Sequence, residues 1–497
     1  MLFRSVWNSV SFIIVSIAGF INFTLTIKTY STEIFGLYIL LSSIFGLGYN
    51  IDFGFGAATI RQISIAKNEN DFETQKKFFF TFLLAYILIS IVITLIMSFY
   101  FFIFVQDSTI VLSVKNVNVI TIYVFISCSY LIRYLNNYFK NIFEGFSEFV
   151  VLSKIIIILT LVNTLLILSL FIFKLDIIYL AFFTFLFQLV SLFVYFFTIK
   201  YSFKELSFSF KYYDFALIKK YSLYGINIQV STFINSIIDP LIKFLLGSSL
   251  SLSFVTYYET SKKIIDLSNG LIFSAQKGIF NKLSEQHSAG TMKEFVNNNL
   301  PYYSKMSNYY SILVYGLLNP IICIGMMLWF KSYESMVILV VFFLPYTLIN
   351  FGGVLYLVLM VDGKGIKLIF TQLLNLFTAS LFLYLSLYLF KSYIGLSAFY
   401  FSIVVSILVI FIILNKSISL NKVSYLQKSN FIDLAKLNIL LLSQIILLFF
   451  VSEYYLYILG LYFLLYNLLF IKYLKYFINE IFKRINGLKK SNQRINA

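Results

Sequence analysis

From Val6 to Phe477 the chain alternates long apolar runs with short polar gaps. The runs fall near residues 5–27, 35–60, 78–104, 117–143, 152–173, 176–200, 221–247, 253–280, 302–330, 333–360, 365–390, 393–415, 432–452 and 455–479. A helix rises about 1.5 Å per residue, so roughly 20 apolar residues cross a bilayer's ~30 Å of hydrocarbon. The pattern predicts about fourteen membrane-spanning helices. Inside hydrocarbon each backbone polar group must be satisfied within its own segment or a closed barrel, so runs of this length predict an all-α polytopic membrane protein.

Composition agrees: 60% of residues are hydrophobic and 12% charged, against roughly 25% charged in soluble domains. The 59 Phe and 38 Tyr make a fifth of the chain aromatic, more than a water-soluble fold has room to bury.

Charge then orients the chain. One set of alternate gaps holds Arg61, Lys67, Lys76 and Lys77, then Lys140 and Lys154, then Lys200, Lys204, Lys211, Lys219 and Lys220, and so on to a basic tail ending with Arg494. The other set holds only Lys28, Lys115, Lys174, Lys331 and Lys391. Positive residues stay on the cytoplasmic side, so both termini are expected there. The same asymmetry accounts for most of the +17 net charge. Anionic lipid headgroups are the expected neighbour of these lysines, and no nucleic-acid partner is needed. The first run, behind Arg4, is longer than a signal-peptide core and is expected to remain as the first helix.

Several chemistries are excluded. The longest internal gaps, near 61–77, 201–220, 281–301 and 416–431, are too short for a nucleotide-binding domain. Gly363-Lys364-Gly365 lacks the rest of a phosphate loop. His287 is the only histidine and is read as a solvated loop residue, so no histidine triad or His-pair metal site can be built. Cys128 and Cys323 both fall in apolar runs and are read as core residues, not a disulfide. No cofactor, metal or catalytic group is expected.

The informative residues are charges inside the spans. The seventh span carries Asn235, Asp239 and Lys243 at four-residue spacing, with Pro240 expected to kink it. In the eighth, Glu259, Lys262, Lys263 and Asp266 recur at spacings of three and four, and Gly270, Ser274 and Lys277 continue the stripe. Each charge at the bilayer centre costs about 2.5 to 3.5 kcal/mol on the insertion scale, so a set of this size is not expected to face lipid. Two arrangements remain: mutual neutralisation through pairs four residues apart, or a hydrophilic pathway between helices, which so many charges favour. In the first half, Asp52 sits among Gly54 and Gly56 ahead of Arg61. The fourth span carries Arg133, the candidate anion contact, followed by Asn136, Asn137, Lys140 and Glu144; Lys140 is expected to snorkel to the interface.

Phe35-Gly36-Leu37-Tyr38 leading into Asp52-Phe53-Gly54-Phe55-Gly56 and Arg61 resembles the second-helix signature of bacterial polysaccharide translocases of the O-antigen flippase (Wzx) type. Asp239-Pro240-Leu241-Ile242-Lys243, Leu246-Gly247, Tyr257-Tyr258-Glu259-Thr260-Ser261-Lys262-Lys263, Asp362-Gly363-Lys364 and Asn375 are similar to that family in outline. The chain departs from it at Ile279-Phe280-Asn281-Lys282-Leu283-Ser284, where the family usually has a proline before a Ser-Leu sequence.

The resemblance implies membership of the wider multidrug/oligosaccharidyl-lipid/polysaccharide exporter superfamily. It implies two six-helix lobes around a central cavity, residues 1–200 and 221–415, joined by a cytoplasmic linker at 201–220. Two additional helices and a basic tail occupy 416–497. The implied task is to move undecaprenyl-pyrophosphate-linked oligosaccharide, an O-antigen or similar unit of lipopolysaccharide or other surface polysaccharide, to the periplasmic leaflet of the bacterial inner membrane. A polysaccharide polymerase assembly is an implied partner. Arg133, Lys262 and Lys263, with weaker claims for Lys243 and Lys277, would meet the pyrophosphate. Asp52, Asp239, Glu259 and Asp266 are the carboxylates suited to ion coupling or to a cavity network. The two last spans offer a greasy surface for the polyprenyl tail, and ordinary lipid-facing packing explains them equally well. Three readings stand beside this one: a lipid II or teichoic-type exporter, a multidrug cation antiporter of the same superfamily, and a membrane glycosyltransferase or ligase. The basic residues argue against the antiporter, and the short outer loops against the enzyme.

Overall fold

Where the sequence predicts spans, a computed structural model of the chain has helices. It describes residues 2–49, 55–106, 117–206, 208–288, 290–361, 365–391, 393–418, 428–450 and 454–470. The first seven helices are α1 (Leu2–Thr29), α2 (Thr32–Tyr49), α3 (Phe55–Asn68), α4 (Phe72–Tyr100), α5 (Val119–Gly145), α6 (Phe149–Phe173) and α7 (Ile177–Ser202). Then come α8 (Phe215–Ser249), α9 (Leu252–Ser288), α10 (Met292–Ser311), α11 (Asn319–Phe330), α12 (Tyr333–Val361), α13 (Gly365–Phe390), α14 (Ala398–Ile418) and α15 (Lys428–Phe450). The last is α16 (Tyr455–Phe470); residues 471–479 of the expected final span lie outside the described residues. Each predicted span lands on one helix or on a pair, α2 with α3 and α10 with α11. Among the described residues, eight helices are long and apolar enough to cross a membrane singly, and α10–α11 passes as a bent pair. The protein is an all-α, multi-pass membrane protein.

The helices outrun the apolar runs. Most of the gap expected at 281–301 is helical, as is 61–68, because a helix leaving hydrocarbon can continue in water on its own hydrogen bonds. With no proline near Ile279, α9 continues to Ser288. His287 therefore sits exposed in the last turn of α9 instead of in a loop, with Nδ1 3.3 Å from the Met292 sulfur.

By packing, the chain forms two units, Met1–Thr256 and Tyr257–Ala497. In the first, α1 lies along α6, α5 packs on α7 and α4, and α8 packs on α2 and α4. Its core is aromatic: Phe78, Phe79, Phe82, Tyr86, Tyr134, Tyr138, Phe143 and Tyr195 are buried together. Tyr86 stands 4.9 Å from Tyr138 and 5.4 Å from Tyr134, ring to ring. Gly36, in the family-like stretch of α2, has a simple cause: a Cβ there would meet the Leu252 carbonyl oxygen at 2.0 Å. The same contact is sealed by the Thr256 hydroxyl donating to the Thr32 carbonyl at 2.7 Å.

In the second unit α12 is the central post, buried along most of its length and packed by α10, α11, α14 and α15. A helix that is apolar all round belongs in a core or in lipid, and here it is core.

Two details recur six spans apart. The third span ends in a π-turn, Phe101–Val105, and the ninth contains another, Ile312–Leu317. The fifth and eleventh spans both stop at a left-handed lysine after a phenylalanine, Lys174 (φ 49°) and Lys391 (φ 44°); Lys331 (φ 49°) closes the ninth the same way. Each of the three lysines returns its N–H to the carbonyl four residues back, of Leu170, Leu387 and Met327. These are three of the five lysines that break the charge asymmetry. As cations at helix C-termini they also complement the helix dipole.

Candidate functional site

The expected site residues divide between the units. In the first, α5 presents Arg133 exposed, while Ile120, Val124 and Cys128 are exposed on the opposite side of the helix. Cys128 is thus an exposed thiol, not the core residue expected, whereas Cys323 is buried. The Arg133 guanidinium lies 5.6 Å over the Tyr130 ring, and that ring stacks on Phe45 of α2 at 5.5 Å. On α2 the Tyr38 hydroxyl hydrogen-bonds Thr184 at 3.1 Å. A guanidinium against a phenol face keeps its charge while shedding part of its water shell, an arrangement suited to receive an anion.

One turn further, Asn136 is buried and donates to both the Gln188 side chain and carbonyl at 3.0 Å. Lys140 lies half-buried, 5.9 Å over the Tyr195 ring. Sequence reading missed Tyr130 and Tyr195 as partners; the only local signal was a cation inside a tyrosine-rich span.

On α8, Asp239 and Lys243 form an ion pair at 2.8 Å, with only 6% of the Lys243 side chain exposed and 25% of Asp239. Mutual neutralisation, one of the two arrangements expected, is what this pair adopts. Pro240 lies within α8, which runs on through it.

In the second unit, α9 carries Glu259 and Lys262 half-buried and Lys263 and Asp266 exposed. The next helical step is Asn269, wholly buried, whose side-chain oxygen accepts the Tyr315 hydroxyl at 2.6 Å. Asn350 of α12 reaches the same hydroxyl at 3.5 Å and Ser311 at 3.2 Å. The α9 stripe thus passes from charged residues into a neutral amide and hydroxyl seam inside the unit. Asp52 and the Lys277 side chain lie outside the described residues.

Outside the spans, the Asp71 carboxylate caps α4 by accepting the Thr74 hydroxyl and N–H at 2.5 and 3.0 Å. Those bonds hold its pKa below the ordinary value. The cap is therefore strongest above the usual carboxylate range and is lost as pH falls through the lowered folded value.

The helix order and the charged spans define a polytopic all-α membrane protein. The chain belongs to the polysaccharide biosynthesis protein family, whose profile matches residues 4–280. No curated protein matches it in sequence. Its fold is similar to that of the lipid II flippase MurJ in an inward closed conformation, with a TM-score of 0.65 and 13% identity over 97% of this chain and 100% of that one. It is also similar to a multidrug resistance MATE family transporter of the MOP superfamily. The inward-facing form gives a TM-score of 0.57 at 14% identity over 87% of this chain and 95% of that one. The outward-facing form gives 0.56 at 15% identity over 82% and 95%.

Proposed function

We propose that the protein is a flippase for oligosaccharide repeat units linked through pyrophosphate to undecaprenol, carrying them from the cytoplasmic to the periplasmic leaflet by alternating access. The observation that carries this reading is Arg133: in a polysaccharide-family chain, a spanning helix holds an exposed guanidinium against the Tyr130 ring. A sugar pyrophosphate cannot shed its water into hydrocarbon, and a cation with phenol neighbours offers it charge and hydrogen bonds together. Lys262 and Lys263 on α9 are the proposed second cationic group, with Lys243 and Lys277 behind them. Glu259 and Asp266, with Asp52 and Asp239, are the carboxylates available for ion coupling. The recurrence of the π-turns and lysine caps supports a repeat of six spans, 1–200 and 221–415, joined at 201–220, with 416–497 added. A polysaccharide polymerase assembly is a further proposed partner.

A lipid II cargo is the second reading, supported by the MurJ likeness along 97% of the chain. Cells lacking the protein are expected to accumulate undecaprenyl-linked repeat units on the inner leaflet, with lipid II unchanged. Accumulated lipid II would favour the second reading, and accumulation of neither would overturn both.

The proposed orientation places both termini in the cytoplasm of a bacterial inner membrane. A cysteine at Ser249, the last residue of α8, is expected to react with an impermeant thiol reagent from the periplasm, and one at Ser209, before α8, is not. The reverse labelling would invert the topology.

A further inference from the structure

The ninth span is broken. Its two parts, Met292–Leu317 and Asn319–Phe330, are bent by 44°. The break lies between the π-turn at Ile312–Leu317 and Pro320, which has no N–H to return to the turn before it. Such a stretch leaves backbone carbonyls short of helical donors, and a break inside the membrane needs them supplied from elsewhere.

The last helix supplies two donors. The Tyr466 hydroxyl of α16 donates to the Ile312 carbonyl at 3.0 Å, and the Tyr462 hydroxyl to the Tyr315 carbonyl at 3.3 Å. Tyr466 is wholly buried and lies so close that a Cβ on Gly316 would stand 2.2 Å from its ring. On the far side of the break, Asn319 exchanges hydrogen bonds with Gln444 of α15, at 2.7 and 3.4 Å, and accepts the Cys323 thiol at 2.9 Å. All of these groups are buried. The opposite faces of both helices are exposed and apolar, Ile439, Ile446, Leu461 and Leu464 among them.

We propose that α15 and α16 form a clamp that holds the ninth span in its bent form. Tyr462 and Tyr466 grip the π-turn before the break, and Gln444 grips Asn319 after it. The span's alternative is a straighter helix, whose carbonyls have no use for these hydroxyls. The clamp is therefore a conformational device, and its release and the straightening of the span are one event. The proposal does not rest on the identity of the cargo.

The test uses the full-length protein in proteoliposomes, with Cys128→Ser and spin labels on cysteines replacing Tyr302 and Leu328, exposed positions on either side of the break. Tyr462→Phe with Tyr466→Phe removes two hydroxyls and little volume. The distance distribution is expected to broaden and its mean to lengthen by roughly 3 Å, the change that opening such a bend produces at 1.5 Å per residue. Amide exchange across residues 312–318 is expected to rise by about five-fold or more. Unchanged distances and exchange would overturn the proposal. A second arm exploits Gly316: Gly316→Ala is expected to raise the same exchange in the parent, where it collides with the tyrosine ring, and to add nothing in a Tyr466→Ala background. Equal effects in both backgrounds would show that the ring does not grip the turn.

Discussion

Asp239→Asn is expected to deplete folded protein from the membrane, because it leaves Lys243 buried with its partner carboxylate removed. Breaking a buried pair by removing one member costs about 3 to 5 kcal/mol, whereas replacing both members with neutral groups of similar volume is often nearly neutral. Asp239→Asn with Lys243→Met is therefore expected to recover most of the lost abundance and thermal stability. Thermal unfolding in detergent and quantitative membrane blots measure both. An Asp239→Asn protein as stable as the parent would sink the ion-pair account. The recovered double variant then separates structure from coupling. If Asp239 carries the coupling ion, the double variant transports without gradient dependence. If it transports as the parent does, the carboxylate serves the helix alone.

Arg133→Gln is expected to act in the opposite way, leaving abundance near that of the parent while cutting transport by about ten-fold or more. The side chain is exposed and its ring contact modest, so little folding energy is lost. A charge-assisted contact with pyrophosphate is worth about 1.5 to 3 kcal/mol. Arg133→Lys is expected to restore only part of the activity, since an ammonium lacks the planar fork. Lys263→Gln is expected to weaken transport similarly, with Lys263→Arg milder. Surface polysaccharide at limiting expression, normalised to membrane abundance, reads the effect. Normal polymer from both glutamine variants would refute the cationic site.

The spans were legible because about 20 apolar residues in hydrocarbon have no alternative to a helix. The Asp239–Lys243 pair was legible because four residues bring two side chains together on one helix. Contacts between helices were not. The ring beneath Lys140 is an example, because nothing local predicts Tyr195, which arrives from α7. The burial of α12 was equally hidden, since Val, Leu and Phe suit lipid and protein interior alike. The π-turn at Ile312 had no local mark beyond Gly316 and Pro320, because its hydrogen-bond partners lie about 150 residues on.

The left-handed lysines bear on how the protein enters its membrane. In the proposed orientation Lys174, Lys331 and Lys391 must be carried to the outer face, against the tendency of positive charge beside a span to stay inside. The resistance falls on the hairpins α6–α7, α11–α12 and α13–α14, whose outer turns begin at these residues. A glycine would relax each left-handed cap by about 1 kcal/mol and remove the charge in one substitution. Replacing all three would sharpen the topogenic signal and ease those hairpins across, so biogenesis, unlike transport, would run faster in the variant than in the natural chain.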